Sequence, residues 1–511
     1  MTTSLQPPRV TNSGVVPLAE IPVLPLAEFR AWLADELSAG GQLCALFGRP
    51  VANSVRLYGV VGLPLKGLLA VCAVDVGDRY PALTPDCPPA HWFEREIAEQ
   101  WGVVPERHPW LKPIRFHESY RPGHDAWSRA VGSAILPCVQ PPGTDYFRVE
   151  GEEIHEVAVG PIHAGVIEPG HFRFQCHGEQ VFHLEIELGY QHRGVEQALV
   201  GGPNKRTLHV METLAGDTSI GHATAYCQAV EALAGREAPI RAQVLRGVAL
   251  ELERLANHTG DLGALAQDVG FLPTAAFCGR LRGDFLNATA MLCGNRFGRS
   301  FVEPGGVGFD VDGLRAEQMT ARLQTALAEV RGAAQLLWKT PSVLARFEDT
   351  GTVTRETALA LGLVGPAARA CGIDHDVRRD YPSGIYRFAQ LPVTTWHDGD
   401  VFARAYVRWL EIERSARFAI EQLRMLPEGP PSSEVTGLRP DSLVVSLVEG
   451  WRGEICHVAI TDVAGRFAHY KVVDPSFHNW IGLMLSLRDQ QISDFPLCNK
   501  SYNLSYCGHD L

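Results

Sequence analysis

The stretch that decides the fold runs from residue 238 to residue 263 and reads APIRAQVLRGVALELERLANHTGDLG. Pro239 suits the start of a helix, because the first turn does not need its missing backbone N–H. The apolar residues that follow keep a 3.6-residue spacing along one face, and they are Ile240, Val244, Leu245, Val248, Leu252 and Leu255. Helical patterns of this kind dominate from about residue 205 to 345, which predicts a helix bundle around a shared core.

The regions on either side of this bundle predict a second domain and a hairpin. Residues 20–120 combine a helical stretch, AEFRAWLADELSAG, with two strands rich in Val and Leu, which is typical of a small α/β domain. Residues 121–150 are rich in Gly and Pro and predict a linker. The remainder, residues 151–511, would form a larger domain. The predicted fold class is α+β: a small N-terminal α/β domain, then a mainly α-helical bundle domain with peripheral β-hairpins, one of them after residue 440.

Charge and composition limit what the 511-residue chain can do. Its net charge of −12 argues against broad nucleic-acid binding, which needs a basic surface to neutralise phosphates. No run of 18 apolar residues is free of both charge and proline, and the N-terminus lacks a signal-peptide pattern. We therefore expect a cytoplasmic protein that meets a membrane only through partners. Among its twelve cysteines, no two stand in the Cys-x-x-Cys relation that lets one turn hold a metal ion.

Two blocks of sequence carry a specific resemblance. YPALTPDCPPAHWFEREIAEQWGV, residues 80–103, resembles the signature of the 30 kDa subunit of respiratory complex I. GPIHAGVIEPGHFRF, residues 160–174, and ELGYQHRGVEQAL, residues 187–199, resemble the 49 kDa subunit of complex I. They resemble still more closely the large subunit of group 4 membrane-bound nickel–iron hydrogenases. The formate hydrogenlyase large subunit fuses the same two domains, and the resemblance covers nearly the whole chain, which implies an oxidoreductase subunit.

Hydrogenases of this type hold nickel and iron between two Cys-x-x-Cys pairs, so the resemblance indicates where the metal ligands would lie. Lining up His222 and the helix after it puts Ala215 and Thr218 at the first pair. The C-terminal segment NLSYCG puts Ser505 and Gly508 at the second pair. Alanine and glycine have no ligand atom, and neutral hydroxyls are poor ligands for a soft metal centre. A Ni-Fe site is therefore predicted to be absent.

Two cysteines near the C-terminus stand close to these positions. Cys507 falls one residue away from the second pair, and a shift of one residue is expected to point its side chain elsewhere. Cys498 lies nine residues before it. Both are predicted to be small, buried packing residues, as free cysteines usually are.

Quinone is a second candidate ligand that the resemblance implies. The 49 kDa subunit of complex I offers the quinone head group a histidine from a GPxHxxxH loop and a tyrosine. His163 matches the first histidine of that loop, but Ile167 stands where the second would be, and the tyrosine's place falls near Gly216. The chain thus shows neither the hydrogenase ligands nor the quinone pair.

Polar residues around the implied cavity are candidates for catalysis, namely His163, Glu168, Asp217, Arg452 and Asp474. Glu168 could relay protons if burial raised its pKa, or it could cap backbone N–H groups before Pro169. Asp217 could replace metal charge or bind a cation or a proton, with Arg452 or Asp474 as its partner. The alternative is that Asp217 is a solvated loop residue.

The QHRGVE block supplies candidates for contact with a cofactor held by a partner. His192, Arg193 and Glu196 could form the interface to an iron–sulfur cluster or tune it. Arg193 could equally pair with Glu196, one helical turn away. Glu253, Arg254 and His258, in LERLANH, resemble a Glu-Arg pair of the same families and are interpreted mainly as bundle scaffolding.

The resemblance implies a set of partners and a location. These are an iron–sulfur small subunit with a 4Fe-4S cluster and membrane subunits related to ion-pumping antiporters, with the chain on the cytoplasmic side of the membrane. NAD would bind only through another subunit, because no nucleotide-binding loop is evident. Three hypotheses follow: an oxidoreductase large subunit that works without Ni-Fe and is coupled to ion movement, a non-catalytic structural or coupling subunit, and an active hydrogenase or NADH:quinone oxidoreductase subunit.

Overall fold

The computed structural model describes residues 7–52, 54–128, 146–164 and 167–511. Most of the predicted linker, residues 129–145, lies outside the described residues, and so do two residues of the GPIHAGVI loop. Within the described ranges, no helix is both long enough and apolar enough to cross a membrane.

The N-terminal part of the chain combines strands with helices. Its strands are Arg9–Val10 (β1), Val15–Pro17 (β2), Val23–Leu24 (β3), Gln42–Val51 (β4), Ser54–Leu63 (β5), Leu68–Val76 (β6), Arg79–Pro81 (β7) and Val104–Glu106 (β8). Its helices are Leu26–Ser38 (α1) and His91–Trp101 (α2). The predicted helix and both predicted strands of this region therefore form.

A five-stranded sheet organises this part, in the order β1-β6-β5-β4, with β3 parallel to β6. Helix α1 buries Phe29 and Leu33 against the sheet. Gly59 of β5 lets the helix come close, since a Cβ atom there would lie 3.0 Å from the Phe29 ring. Burial of such side chains contributes roughly 1.5–3 kcal/mol each to folding.

Helix α2 is buried along its whole length, including its four charged residues. Such a helix belongs to an interior rather than to a surface. One of these charges reaches the larger domain: the Glu96 carboxylate lies 2.6 Å from the Lys471 ammonium, and it also accepts a hydrogen bond from Arg115. The helix therefore joins the small domain to the large one.

The larger part begins with strands and continues mainly with helices. Its strands are Ile154–Val159 (β9), His171–His177 (β10), Gln180–Glu187 (β11), Val302–Glu303 (β12), Gly306–Val307 (β13), Ser442–Gly450 (β14), Gly453–Thr461 (β15) and Phe467–Val473 (β16). Its helices are Val195–Leu199 (α3), Thr207–Met211 (α4), Ser219–Leu233 (α5), Ile240–Asp268 (α6), Leu272–Cys293 (α7), Gly313–Trp338 (α8), Pro341–Phe347 (α9), Arg355–Leu361 (α10), Gly365–Arg369 (α11), Val377–Asp380 (α12), Val401–Arg424 (α13), Pro475–Ser486 (α14) and Phe495–Tyr502 (α15).

The predicted helix bundle forms around α6, which packs against α7 and α13, while α8 packs against both of those helices. Pro239 stands directly before α6, as the sequence predicts. The predicted apolar face is buried from Val244 to Leu255, whereas Ile240, in the first turn, is 43% exposed. The N-terminus of α5, a neighbour of α6, leads to the turn where the first metal-ligand pair was sought.

The hairpin predicted after residue 440 forms as β14 and β15, and β16 extends it. It lies in the interior rather than at the periphery, because every residue of β14 and β15 is buried. The two faces of β14 belong to different hydrophobic cores. Leu443, Val445 and Leu447 pack in the core of the small domain, and Val444 and Val448 pack in the core of the bundle. Strand β2, from the N-terminus, pairs with β14 and ties the two parts together.

Candidate functional site

The turn before helix α5 is built from the residues that stand at the first predicted ligand pair. Ala215 is buried, and its carbonyl accepts a hydrogen bond from the Thr218 backbone N–H at 3.1 Å. The Thr218 hydroxyl accepts hydrogen bonds from the Trp451 indole at 3.1 Å and from Arg452 at 3.4 Å. The turn is therefore held to the hairpin that joins β14 to β15.

Arg452 and Asp217 form a two-pronged ion pair beside this turn. The guanidinium nitrogens lie 2.6 and 2.8 Å from the two carboxylate oxygens. The Arg452 guanidinium also stacks over the Trp451 ring at 3.9 Å and donates to the Asn503 carbonyl. Burial alone would lower the pKa of Arg452, but the Asp217 carboxylate outweighs burial and raises it. Asp217 is thus paired with Arg452, one of the two partners proposed for it, and is not a freely solvated loop residue.

Asp474 starts a buried chain of hydrogen-bonding groups. One of its oxygens caps helix α14 by accepting the Ser476 backbone N–H at 2.8 Å, and the other lies 3.2 Å from His222 Nε2. His222 Nδ1 lies 3.1 Å from His457 Nε2, and His457 Nδ1 lies 2.9 Å from the Tyr470 hydroxyl. These side chains are all buried.

The charges of this chain are set by its surroundings. Burial alone would raise the pKa of Asp474, but the bond to His222 and the charge of Arg452 lower it to about 2. Burial lowers the pKa of His457 well below its ordinary value, and His222 lowers it further. Asp474 is therefore ionised and His457 neutral at physiological pH. This row of side chains can then pass or hold a proton without both histidines being positively charged.

The Cys507 side chain lies beside these hydrogen-bonded side chains, although its one-residue offset predicts that it points elsewhere. Its sulfur, one oxygen of Asp474 and one nitrogen of His222 all lie within 4.8 Å of one another. The turn at the C-terminus brings it there, because its backbone N–H bonds to the Ser505 hydroxyl at 3.2 Å. Cys498, by contrast, is a buried residue of the bundle core, and burial raises the pKa of its thiol to about 12.

The four predicted ligand positions do not fit a Ni-Fe centre. Ala215 and Gly508 offer no ligand atom, and a Cβ atom on Gly508 would lie only 3.3 Å from the Phe477 Cβ. The Thr218 hydroxyl is bonded to Trp451 and Arg452, and the Ser505 hydroxyl accepts from the Cys507 backbone. No thiolate is present at any of the four positions.

His163 and Glu168 gather around Tyr506 rather than around Asp217. His163 Nε2 lies 3.2 Å from the Tyr506 hydroxyl. Glu168 is half-buried, and its charge contributes to raising the pKa of Tyr506, which burial raises most. Burial also raises the pKa of the neighbouring Asp510 to about 6, with a contribution from Glu168. Ile167, where a second histidine was sought, is 53% exposed.

Tyr506 is a residue that reasoning from the sequence missed. It stands between Ser505 and Cys507, in the segment that carries the second ligand pair. Its position as the aromatic neighbour of two candidate ligands is the signal that could have found it. It connects the His163 and Glu168 group to the Asp474 and Cys507 group along the chain.

The QHRGVE block has a structural role in the same region. Arg193 donates to the Thr213 and Leu214 carbonyls at 2.9 and 3.0 Å, just before the Ala215 turn. It does not pair with Glu196, which instead accepts from Lys471 at 2.9 Å and lies in the buried network of α2. His192 has a pKa of about 3, lowered mainly by burial.

The Glu-Arg pair on α6 also reaches this region. Glu253 accepts the backbone N–H groups of Ile220 and Gly221 at 2.7 and 3.2 Å, and so caps α5. Burial raises the pKa of Glu253 to about 8 in spite of these bonds. A space of about 10 Å³, large enough for one water molecule, is lined by both Glu253 and Asp217. Arg254 donates to the Glu449 and Gly450 carbonyls of β14, which supports the scaffold interpretation.

A much larger cavity, of about 930 Å³, opens at the other end of α5. It lies between the start of α6, the segment around α12 and the first strands of the chain. Its charged lining residues include Glu231, Arg246 and Arg378, which are paired with other charges or with each other. The cavity is therefore distinct from the region of Asp217 and Asp474.

Comparison with known proteins matches part of each predicted domain. Residues 268–441 match the respiratory-chain NADH dehydrogenase 49 kDa subunit, and residues 65–128 match its 30 kDa subunit. The carbon monoxide-induced hydrogenase of Rhodospirillum rubrum is 30% identical over 344 residues, which are 67% of this chain and 95% of that protein. Formate hydrogenlyase subunit 5 of Escherichia coli (strain K12) is 28% identical over 488 residues, 91% of this chain and 84% of that protein.

A solved structure shares the fold. It is that of the membrane-bound sulfane sulfur reductase, an archaeal respiratory membrane complex. One of its chains superposes with a TM-score of 0.66 and 23% sequence identity, covering 70% of this chain and 99% of its own length. The architecture built around α6 and the buried hairpin is therefore one that a respiratory complex also uses.

Proposed function

The chain belongs to the family that unites the 49 kDa subunit of respiratory complex I with the large subunits of membrane-bound hydrogenases, and we propose that it moves electrons between an iron–sulfur partner and a pocket without Ni-Fe. As a complex I-like and hydrogenase-like large subunit, it carries a 30 kDa-type domain at its N-terminus. The pocket of the proposal is the region of Asp217, Arg452, Asp474 and His222.

One observation carries this proposal. Where the nickel ligands would stand, the chain has an ordered set of charged and polar side chains: the Arg452–Asp217 pair and the buried chain from Asp474 to Tyr470. Burying such groups costs free energy unless they are fully bonded. A site that had merely lost its metal would need no such set, whereas a site that handles protons during electron transfer would need one.

The partners complete the proposal. Relatives of this chain are subunits of multisubunit respiratory membrane complexes. We place beside the pocket a small subunit with a 4Fe-4S cluster, near the exposed side chain of Arg193, which holds the loop before Ala215. Membrane subunits related to antiporters would hold the chain at the cytoplasmic face.

Quinone is the electron acceptor to test first, because His163 and Tyr506 present two hydrogen-bonding groups side by side.

The test uses the whole complex, purified through a tag on this chain. Reduced viologen supplies electrons, and a water-soluble quinone or protons serve as acceptors. We expect quinone to be reduced, no hydrogen to be formed, and Asp217→Asn to lower the rate at least tenfold in complexes of unchanged subunit composition. Hydrogen production by the wild-type complex would overturn the proposal.

A second candidate function is favoured by the size of the space near Asp217. Only about 10 Å³ is free there, and the Arg452 guanidinium fills the place beside the Ala215 turn. A chain that holds the complex together, or passes movement to a membrane arm, would need no larger space. This structural role predicts that neither acceptor is reduced through the pocket and that Asp217→Asn changes assembly rather than rate.

A further inference from the structure

The cluster of His222, Asp474 and Cys507 has the composition of a metal site. Its three ligand atoms lie within 4.8 Å of one another, and all three side chains are buried. We propose that it binds a single divalent transition-metal ion, zinc by preference, through one imidazole nitrogen, one carboxylate oxygen and one thiolate. The proposal rests on the proposed function in one respect, since it assigns a cofactor to the same pocket.

The donor set matches this class of ion in chemistry and in charge. Zinc is bound by exactly these three kinds of atom, and sites with three protein ligands keep a fourth position open. A thiolate and a carboxylate supply two negative charges, and a neutral imidazole supplies none, so a divalent ion leaves the ligand set uncharged. Arg452 adds no uncompensated charge nearby, because Asp217 pairs with it.

The histidine has the support that a metal ligand usually has. A ligating imidazole normally donates its second N–H to an acceptor, which fixes its tautomer and its orientation. His222 Nδ1 lies 3.1 Å from His457 Nε2, so it can donate there while Nε2 faces Asp474. His457 Nε2 can accept this bond, because its own Nδ1 can donate to the Tyr470 hydroxyl, 2.9 Å away.

The other two ligands are held just as firmly. One Asp474 oxygen is fixed by the Ser476 backbone N–H, which leaves the second oxygen for the ion. Cys507 is positioned by the bond from its backbone to Ser505. Ligand atoms around a tetrahedral zinc ion lie roughly 3.5 Å apart, as bond lengths of about 2.0–2.3 Å require. His222 Nε2 and Asp474 Oδ2 already lie 3.2 Å apart, and no two of the three ligand atoms are more than 4.8 Å apart.

The ion would be a different centre from Ni-Fe. None of its ligands stands at the four positions Ala215, Thr218, Ser505 and Gly508. It has one cysteine ligand, whereas a Ni-Fe centre has four. Without an ion, the same groups form a chain of hydrogen bonds from the Cys507 thiol through Asp474 to His222 and His457. The experiment must therefore separate a bound metal from a proton chain alone.

The test measures metal directly in the complex purified through a tag on this chain. Zinc, iron, nickel and cobalt are quantified in the complex as isolated, in comparison with the Cys507→Ala complex. The complex is then depleted of bound metal with a chelator and titrated with cobalt(II). The thiolate-to-metal absorption band of cobalt(II) reports a Cys ligand. We expect one cobalt-binding site with this band in the wild type, and loss of the band with at least a hundredfold weaker binding in Cys507→Ala.

Matched variants keep the result interpretable. Cys498→Ala removes the other C-terminal cysteine, which packs in the bundle core, and should leave the titration unchanged. His457→Phe removes the support of His222 and should weaken cobalt binding about 10–100-fold while leaving the thiolate band in place. A wild-type titration without the band, or one identical in Cys507→Ala, overturns the metal site, as does nickel together with iron in the isolated complex. Electron transfer is not used as a readout, so a failure here is distinguishable from a failure of the proposed function.

Discussion

The Arg452 guanidinium lies 2.6 Å from the Asp217 carboxylate, across the turn where hydrogenase relatives would carry their first pair of cysteine ligands. Their side chains come from parts of the sequence 235 residues apart. The Arg452 side chain is 5% exposed and that of Asp217 is 33% exposed, so the pair lies at the edge of the interior. An arginine thus places a fixed positive charge beside this turn.

Asp217→Asn should destabilise the chain moderately. Removing one partner of a fully buried ion pair costs about 3–5 kcal/mol, because it leaves the other charge unpaired. Since Asp217 is partly exposed and water screens the Arg452 charge, we expect about 1–2 kcal/mol. The measurement is the urea midpoint of the purified complex followed by tryptophan fluorescence.

Glu106→Gln provides the control, because Arg79 and Glu106 form an ion pair in which the side chains are 67% and 46% exposed. It should change stability by less than about 0.5 kcal/mol. If both variants behave alike, the buried position of Arg452 has no energetic importance and the pair is an ordinary surface contact.

Glu253 should make stability fall as the pH rises. Burial raises its pKa to about 8 in the folded chain, whereas a glutamate in an unfolded chain titrates near 4.3. The folded state therefore holds a proton that the unfolded state has lost. Its contribution is fully present below about pH 4.3 and is lost as the pH rises to about 8, at up to about 1.4 kcal/mol per pH unit.

Glu253→Gln keeps the neutral form at every pH, so it should flatten the dependence of the thermal midpoint between pH 5 and 8. Glu434→Gln, at an exposed acid, should leave the wild-type slope intact. A wild-type midpoint that does not fall faster with pH than that of Glu253→Gln would show that the carboxyl is ionised, and that the two backbone N–H bonds to it outweigh burial.

The backbone was largely predictable from the sequence, because its signals are local. The apolar spacing after Pro239 predicts α6, and the segment after residue 440 predicts a β-hairpin, which forms as β14 and β15. The pairing of β2 with β14 was not predictable in this way, since the paired residues are more than 400 positions apart. Only the packing of the two domains against each other brings those strands together.

The site was predictable only in part. The resemblance located the empty ligand positions, and Arg452 was named as a partner for Asp217. The position of Cys507 beside Asp474 is not predictable from the sequence, because the offset of one residue predicts that its side chain points elsewhere on a turn or helix. The prediction is wrong because Cys507 starts a short 3-10 helix, Cys507–His509, whose packing brings its sulfur close to Asp474 and His222.

Glu168→Gln should shift the acid limb of the pH–rate profile to lower pH. The Glu168 charge contributes to raising the pKa of Asp510, which is about 6 in the folded chain mainly because of burial. Removing that charge lowers the pKa of Asp510. We take the Asp510 carboxylate as the base whose protonation sets the acid limb, so this limb moves to lower pH with it. We expect a shift of a fraction of a pH unit, together with a lower maximal rate if Glu168 itself passes protons. The measurement is viologen-driven quinone reduction between pH 5 and 8.

Tyr506→Phe gives a comparison for this variant, because it removes the hydroxyl that bonds to His163 without changing any charge near Asp510. Its acid limb should stay where the wild type has it. Equal shifts in the two variants would mean that Asp510 does not sense the Glu168 charge.

Lys471→Met should loosen the joint between the two domains. The Lys471 ammonium lies 2.6 Å from Glu96, in α2 of the small domain, and 2.9 Å from Glu196, in α3 of the large one. All three side chains are buried, and this lysine, with Arg115, outweighs burial and lowers the pKa of Glu196. Methionine matches the length of the lysine stem, but leaves two buried carboxylates without that cation, at a cost of about 3–5 kcal/mol.

The loss should be local to the joint, because Glu96 and Glu196 belong to different domains. Limited proteolysis should therefore release the small domain faster from the Lys471→Met chain than from the wild type. Arg466→Met, at an exposed charge close by in the sequence, should be cleaved at the wild-type rate. Equal cleavage of Lys471→Met and wild type would mean that apolar packing alone joins the domains, with Trp92, Phe93 and Phe477 as the contacts that hold them.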